Sequence, residues 1–146
     1  MGGVGSVLAR RWVEEIMAGR LADVEEVVAR DFVEHAMAAF GTSVPGRVDG
    51  ISHTKQVVRL LRGQFPDLHM AIESIIEQGD IVAVRVTASG TNSGAGMFPT
   101  TGRTFVATQA HWFRIDNDRL CEHWAVRDDL TTVIQLGLIS PPGRPD

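Results

Sequence analysis

Two of the five histidines, His111 and His123, sit where their spacing could do chemistry. Arg103 to Ile115 and Arg119 to Val126 both alternate apolar with polar residues around Asp116-Asn117-Asp118, which predicts a β-hairpin. With a three-residue loop, Asp116 to Asp118, Ile115 faces Arg119, His111 falls opposite His123, and Gln109 opposes Ala125. With a two-residue loop, Asn117-Asp118, the register moves by one and His111 shares a face with Trp124 instead. The three-residue loop is preferred, because a type I turn followed by a left-handed residue accepts Asn or Asp there. Phe105, Ala107, Gln109, His111, Phe113, Cys121, His123 and Ala125 then line one face. An apolar wall with a few convergent polar groups has the make-up of a small-molecule site. Imidazole near neutral pH accepts a proton from a carbon acid or donates one to a developing alkoxide, and the Gln109 amide can hold an oxyanion without titrating.

Further candidates surround this pair. His35 is either a pocket-rim proton carrier or an ordinary surface histidine. Asp128 is either a pocket acid or, before Asp129-Leu-Thr-Thr-Val, a helix cap, and the cap is the simpler job. Met97 and Phe98 read as a lid or wall, or as plain loop packing, and Trp124 is carried as a further substrate contact. His53, beside a helix start, and His69, at a strand start, are expected to face solvent with no role. Arg85, alternating with valines, is either an anion contact or a solvated residue. A metal site would need His35 or Glu34 as a third ligand and has no local ligand spacing behind it, so none is expected. Phosphate loops, nucleophile elbows and Ser/His/Asp orderings are missing, which removes nucleotide and acyl-enzyme chemistry.

The elements that must position these residues follow from periodicity. Leu8, Trp12, Val13, Ile16 and Met17 form one stripe of a helix ending near Gly19. Asp23 opens a short second helix through Val24, Val27 and Val28 to about Arg30. Asp31 to His35 reads as a brief strand and Ala36 to Gly46 as a loop. Ser52 is expected to cap a third helix that Pro66 closes. The period then changes to two, with strands around Leu68 to Ile75 and Ile81 to Thr91, then the hairpin, then a last helix from Asp128 or Asp129 to Gly137. Helices first and a meander second predict an α+β domain, a curved antiparallel sheet wrapped around the N-terminal helices as a cone with an internal pocket. The outer face, with Trp112 and Trp124, would need a partner subunit.

Composition bounds the function classes. The 146 residues, 44% hydrophobic and 22% charged, suit one domain, taken as 1–140 with a disordered tail at 141–146. A net charge of −4 without a basic stripe argues against nucleic acid. The single cysteine, Cys121, excludes an internal disulfide and suits a reducing cytoplasm. No apolar run approaches about 18 residues, so no membrane span is expected, and the amino terminus reaches charge too soon for a signal peptide.

The ordered strings Asp31-Phe-Val-Glu-His35, Phe65-Pro-Asp-Leu68, Gly79-Asp-Ile-Val-Ala-Val-Arg85, Phe98-Pro-Thr-Thr-Gly-Arg103, Phe113-Arg-Ile115, Glu122-His-Trp124 and Gln135-Leu-Gly137 resemble the SnoaL-like polyketide (ester) cyclase family. The likeness runs over roughly residues 5 to 138. It implies the cone-shaped fold shared with nuclear transport factor and ketosteroid isomerase, homodimers or higher oligomers, and no cofactor. It also implies ring closure of an enolisable polyketide ester by a pocket histidine, glutamine and aspartate. Gln109 and His111 match the family's strand glutamine and histidine, and His123 the histidine on the returning strand. The aspartate two residues later is replaced by Ala125, and Asp128 lies at an odd offset. Hydroxylases, epoxide-opening cyclases, isomerases and dehydratases share the family, so the scaffold alone does not choose the reaction. A binding protein that kept the pocket and lost the base is the alternative, and a pure dimerisation module would have a filled cone.

Overall fold

The computed structural model describes residues 3–37 and 45–143. Helix α1 (Val4–Arg11) runs on through a wider π-helical turn, Trp12–Ile16, in which the Met17 N–H reaches back to the Trp12 carbonyl at 2.9 Å. Its predicted stripe of Leu8, Trp12, Val13, Ile16 and Met17 is buried throughout. A single 3-10 turn, Leu21–Asp23, leads into α2 (Val24–Val27), which is shorter than expected. The chain is extended from Val28, because β-branched Val28 and aromatic Phe32 gain more from the sheet than from another helical turn.

Strand β1 (Val28–Glu34) is followed by β2 (Gly46–Asp49), a strand the sequence reading assigned no place. Residues 38–44 of the expected Ala36–Gly46 loop lie outside the described residues, as do 144–146 of the expected tail. Helix α3 (Gly50–Gln64) is capped by Asp49 and not by Ser52, the Asp49 Oδ1 accepting from the N–H groups of Ile51 and Ser52, both at 3.0 Å. Gly50 is required at its start, since a Cβ there would lie 2.0 Å from the Ala29 carbonyl oxygen. The first turn of α3 is thereby seated directly on β1.

Strands β3 (His69–Gln78), β4 (Ile81–Thr91), β5 (Thr104–Asp116) and β6 (Arg119–Arg127) form the meander, and α4 (Asp129–Gln135) closes it. The sheet order is β2-β1-β6-β5-β4-β3. All neighbours are antiparallel except β1 and β6, so the sheet is mixed where an antiparallel one was expected. The α+β cone is otherwise as expected: the sheet curls around the helices, with α1 against β3, β4 and β6 and α3 against β1. Along β4 the alternation puts Val82, Val84, Val86 and Ala88 in the core and leaves Arg85 exposed on the outer face.

The hairpin corrects the predicted register. Asn117 and Asp118 both take positive φ, 50° and 56°, so the loop has two residues and Asp116 pairs with Arg119. A bulge at Cys121 then adds one residue to β6, which makes Arg114 pair with Glu122 and His111 with Ala125. The two shifts together amount to two residues. His111 and His123 therefore still share a face, but as diagonal neighbours, with Phe113 directly opposite His123 and Gln109 opposite Arg127.

Candidate active site

Between α3 and the hairpin lies a cavity of about 80 Å³ that opens at one end. Most of its wall is apolar, from Trp12, Met17, Val57, Leu61, Phe65, Met70 and Phe105 among others. Its polar groups are Gln109, His111, His123, Glu34 and His53, with Arg127, Asp129 and Thr132 also lining it.

The central four form one continuous hydrogen-bonded chain. Gln109 Oε1 lies 2.9 Å from His111 Nε2, His111 Nδ1 lies 2.9 Å from His123 Nε2, and His123 Nδ1 lies 2.7 Å from Glu34 Oε1. Local structure explains each placement. Residues 109 and 111 project to the same side of β5, two apart. The parallel register sets Glu34 of β1 beside His123 of β6. The two imidazoles stack with centroids 5.2 Å apart, and the Trp12 ring lies 4.9 Å from His111. Glu34 receives two more donors, the Ala36 N–H on Oε1 at 3.0 Å and His53 Nε2 on Oε2 at 3.2 Å.

Electrostatics separates the members of this chain. Burial alone would raise the Glu34 carboxyl, but the hydrogen bonds from His123 and His53, with the positive field of His123 and the Ala36 N–H, outweigh it and hold the group at about 2. Burial also pushes the ionisation of His111 well below the ordinary histidine value, helped by His123 and Arg127 and opposed by Glu34. His111 is therefore a neutral imidazole at neutral pH.

The remaining candidates separate from this site. His35 points to the other side of the sheet, stacked on Trp124 with centroids 4.7 Å apart and bonded through Nε2 to Glu122 Oε2 at 2.5 Å. Neither His35 nor Trp124 lines the cavity, since alternation along adjacent strands turns both outward, and Glu122 there is held below its usual range by Arg114 and His35. Asp128 caps α4 through the Thr131 N–H at 3.1 Å and also stands off the cavity wall. Cys121, on the bulge, lines a recess near the hairpin turn with Glu25, Arg30 and Arg119. Phe113 backs the array, 4.9 Å from His123 between ring centroids, and lines a smaller hollow behind it with Trp12 and Phe32. Met97 and Phe98 pack at the core's edge, their N–H groups accepted by Gln64 Oε1 at 2.9 and 3.3 Å, and Ala125 pairs with His111 without lining the cavity. His69 is exposed. Among the described residues no three His, Cys, Asp or Glu side chains group so as to hold a metal ion, and no helix is long and apolar enough to cross a membrane.

Sequence reasoning missed Trp12, His53 and Arg127 as site residues and weighed Glu34 only as a metal ligand. A signal existed for Glu34: two residues after apolar Phe32 on a strand, it had to share that residue's inner face, while His35 had to leave it.

This fold and pocket define a class. The sequence matches the SnoaL-like polyketide cyclase family over residues 6–136, and the chain belongs to that family. IdmH from Streptomyces antibioticus, described as "a putative polyketide cyclase", is similar at 32% identity and a TM-score of 0.78, covering 91% of this chain and 98% of its own. TsrD from Streptomyces laurentii shares the fold at 20% identity and a TM-score of 0.79, over 93% of this chain and 96% of its own. AclR from Streptomyces galilaeus, described as "a putative hydroxylase", shares it at 22% identity and a TM-score of 0.75, over 97% and 84%. No curated protein sequence matches the chain.

Proposed function

We infer that the protein is a cofactor-independent acid/base catalyst of ring closure on an enolisable, mostly apolar polyketide-type substrate. One observation carries this reading: a continuous hydrogen-bonded chain, Gln109–His111–His123–Glu34, built from an amide, two imidazoles and a carboxylate, runs along a mostly apolar cavity. In ring closure a base removes the proton α to an ester carbonyl, the resulting enolate attacks a second carbonyl, and the new alkoxide is protonated. His111, neutral and on the cavity wall, has the state a base needs. Gln109 beside it is suited to hold an oxyanion, and Trp12, Phe65 and Phe105 suit the flat apolar body of the substrate.

The test is turnover of a panel of enolisable polyketide esters and epoxides by the wild type, His111→Gln and His123→Gln. Ring closure is expected, with a loss of roughly two to four orders of magnitude in each variant. Equal rates in all three proteins would remove the assignment. A second reading, a small-molecule binding protein, is favoured by Ala125 in place of the family aspartate and by the engagement of both His111 nitrogens in hydrogen bonds. It predicts tight binding of such compounds without conversion.

A further inference from the structure

The three gaps in the Gln109–His111–His123–Glu34 chain can be counted for protons. Gln109 Oε1 and an ionised Glu34 are both acceptors, so each end gap takes a proton from a ring nitrogen, and the gap between the rings takes one more. Three protons on two imidazoles is one more than two neutral rings hold. The pair as drawn therefore carries a single positive charge, and only the position of the middle proton decides which ring bears it. On His111 Nδ1 the charge belongs to His111, which is 3% exposed, under Trp12 and toward Arg127 of β6. On His123 Nε2 it belongs to His123, whose Nδ1 is 2.7 Å from the carboxylate.

We propose that His111 and His123 work as one proton relay ending on Glu34, with His111 exchanging protons with the substrate and His123 carrying the resulting charge. This rests on the acid/base reading above and extends it to Glu34, which takes the place of the carboxylate that Ala125 lacks. The neutral pair has protons on His123 Nδ1 and His111 Nδ1, leaving the His111 Nε2 lone pair free once Gln109 turns its amide. The substrate C–H bond breaks, its electron pair stays behind as the enolate, and its proton bonds to His111 Nε2. The His111 Nδ1–H bond breaks as that proton passes to His123 Nε2. His111 ends neutral, and His123 is an imidazolium against the Glu34 carboxylate. Delivery of the Nε2 proton to the alkoxide reverses each transfer and restores the neutral pair.

Glu34 is thus a positioning and charge-holding residue that need not touch the substrate. His53 of α3 and the Ala36 N–H hold its two oxygens, so Oε1 stays aimed at His123. Arg127 of β6 and Asp129 of α4 are the other charged groups on the cavity wall, and they bond each other at 3.4 Å. Their charges offset, which leaves Glu34 as the carboxylate in contact with the pair.

The experiment is ring-nitrogen NMR of the full chain labelled with ¹⁵N-histidine, titrated in the absence of any substrate. In the wild type the pair is expected to take up one proton, with His123 acquiring imidazolium shifts and His111 staying neutral while its tautomer changes from Nδ1–H to Nε2–H. In Glu34→Gln the midpoint of that uptake is expected to fall by about 1–3 pH units, since an amide keeps the hydrogen bond and removes the charge. Glu34→Asp, which restores the charge one methylene short, is expected to recover part of the shift. Imidazolium shifts on His111, or an unmoved midpoint in a folded Glu34→Gln, would overturn the relay. Should Glu34→Gln fail to fold, the wild-type spectrum decides alone, because it shows which ring takes the charge. Failure to find turnover with normal relay spectra would count against the catalytic reading and not against the relay.

Discussion

Acid sensitivity of the fold should be traceable to one carboxylate. Glu34 titrates at an ordinary 4.5 when free and at about 2 in the folded chain, where its burial is outweighed by donors on both oxygens. A folded value below the unfolded one contributes stability that is complete above 4.5 and disappears as the pH falls toward 2. The displacement of about 2.5 units corresponds to about 3 kcal/mol at neutral pH, of which about 2 kcal/mol is gone by pH 3. Urea unfolding of the wild type and of Glu34→Gln, followed by tryptophan fluorescence at pH 7, 5, 4 and 3, isolates this contribution, because other carboxylates titrate in both proteins. The gap between the two unfolding free energies is expected to vary above pH 5 with the shifted midpoint of the histidine pair, and the Glu34 contribution to it to shrink by about 2 kcal/mol by pH 3. A gap of constant size across the series would refute the argument, since it would mean that Glu34 titrates alike in the folded and unfolded chains.

Other perturbations reach different parts of the molecule. Gln64→Leu removes the acceptor of the Met97 and Phe98 N–H groups and the 2.5 Å donor to buried Asn92, and should cost on the order of 3 kcal/mol in urea unfolding; a loss under about 1 kcal/mol would mean the 92–102 loop is held by other contacts. Asp128→Ala should cost about 1 kcal/mol as a lost helix cap while leaving ring closure unchanged, and a rate loss like that of His111→Gln would return Asp128 to the site. Gly50→Ala should destabilise by about 1–3 kcal/mol, because its Cβ meets the Ala29 carbonyl and α3 must lift from β1; an undisturbed chemical shift at His53 in that variant would show that the helix had not moved. Val106 and Val126 stand 58% and 67% exposed on the outer sheet face, where a second copy of the chain would cover them. Light scattering is expected to give a dimer for the wild type and a monomer for Val126→Asp, and equal masses would remove that face as the interface.

What was legible in the chain was whatever depended on near neighbours. The α1 stripe, the alternation of β4 and the two arms of the hairpin each follow from a local period, and a local period is all an α+β assignment needs. The register was not legible, because the tight Asn117-Asp118 turn and the bulge at Cys121 each move the pairing by one, and the bulge leaves no mark in composition. Their effects add to an even number, and an even slip preserves the face. That parity explains why His111 and His123 meet although the loop assumed for them was one residue too long.

Glu34 and His53 were hidden for a different reason. Glu34 reaches His123 only through the parallel β1–β6 pairing, which joins residues 89 positions apart, and His53 reaches Glu34 only because Gly50 lets α3 settle on β1. A sequence read with every neighbouring strand antiparallel has no contact between β1 and β6 from which to infer a partner for His123. The familiar family arrangement also directs attention to the position two residues after His123, where Ala125 ends the search. On the proposed relay, the carboxylate that a charged, buried His123 needs within hydrogen-bond reach comes from another strand, Glu34 of β1. On that proposal Ala125, on β6 itself, removes one way of building the site and leaves the other, a carboxylate from the parallel strand β1 that pairs with His123.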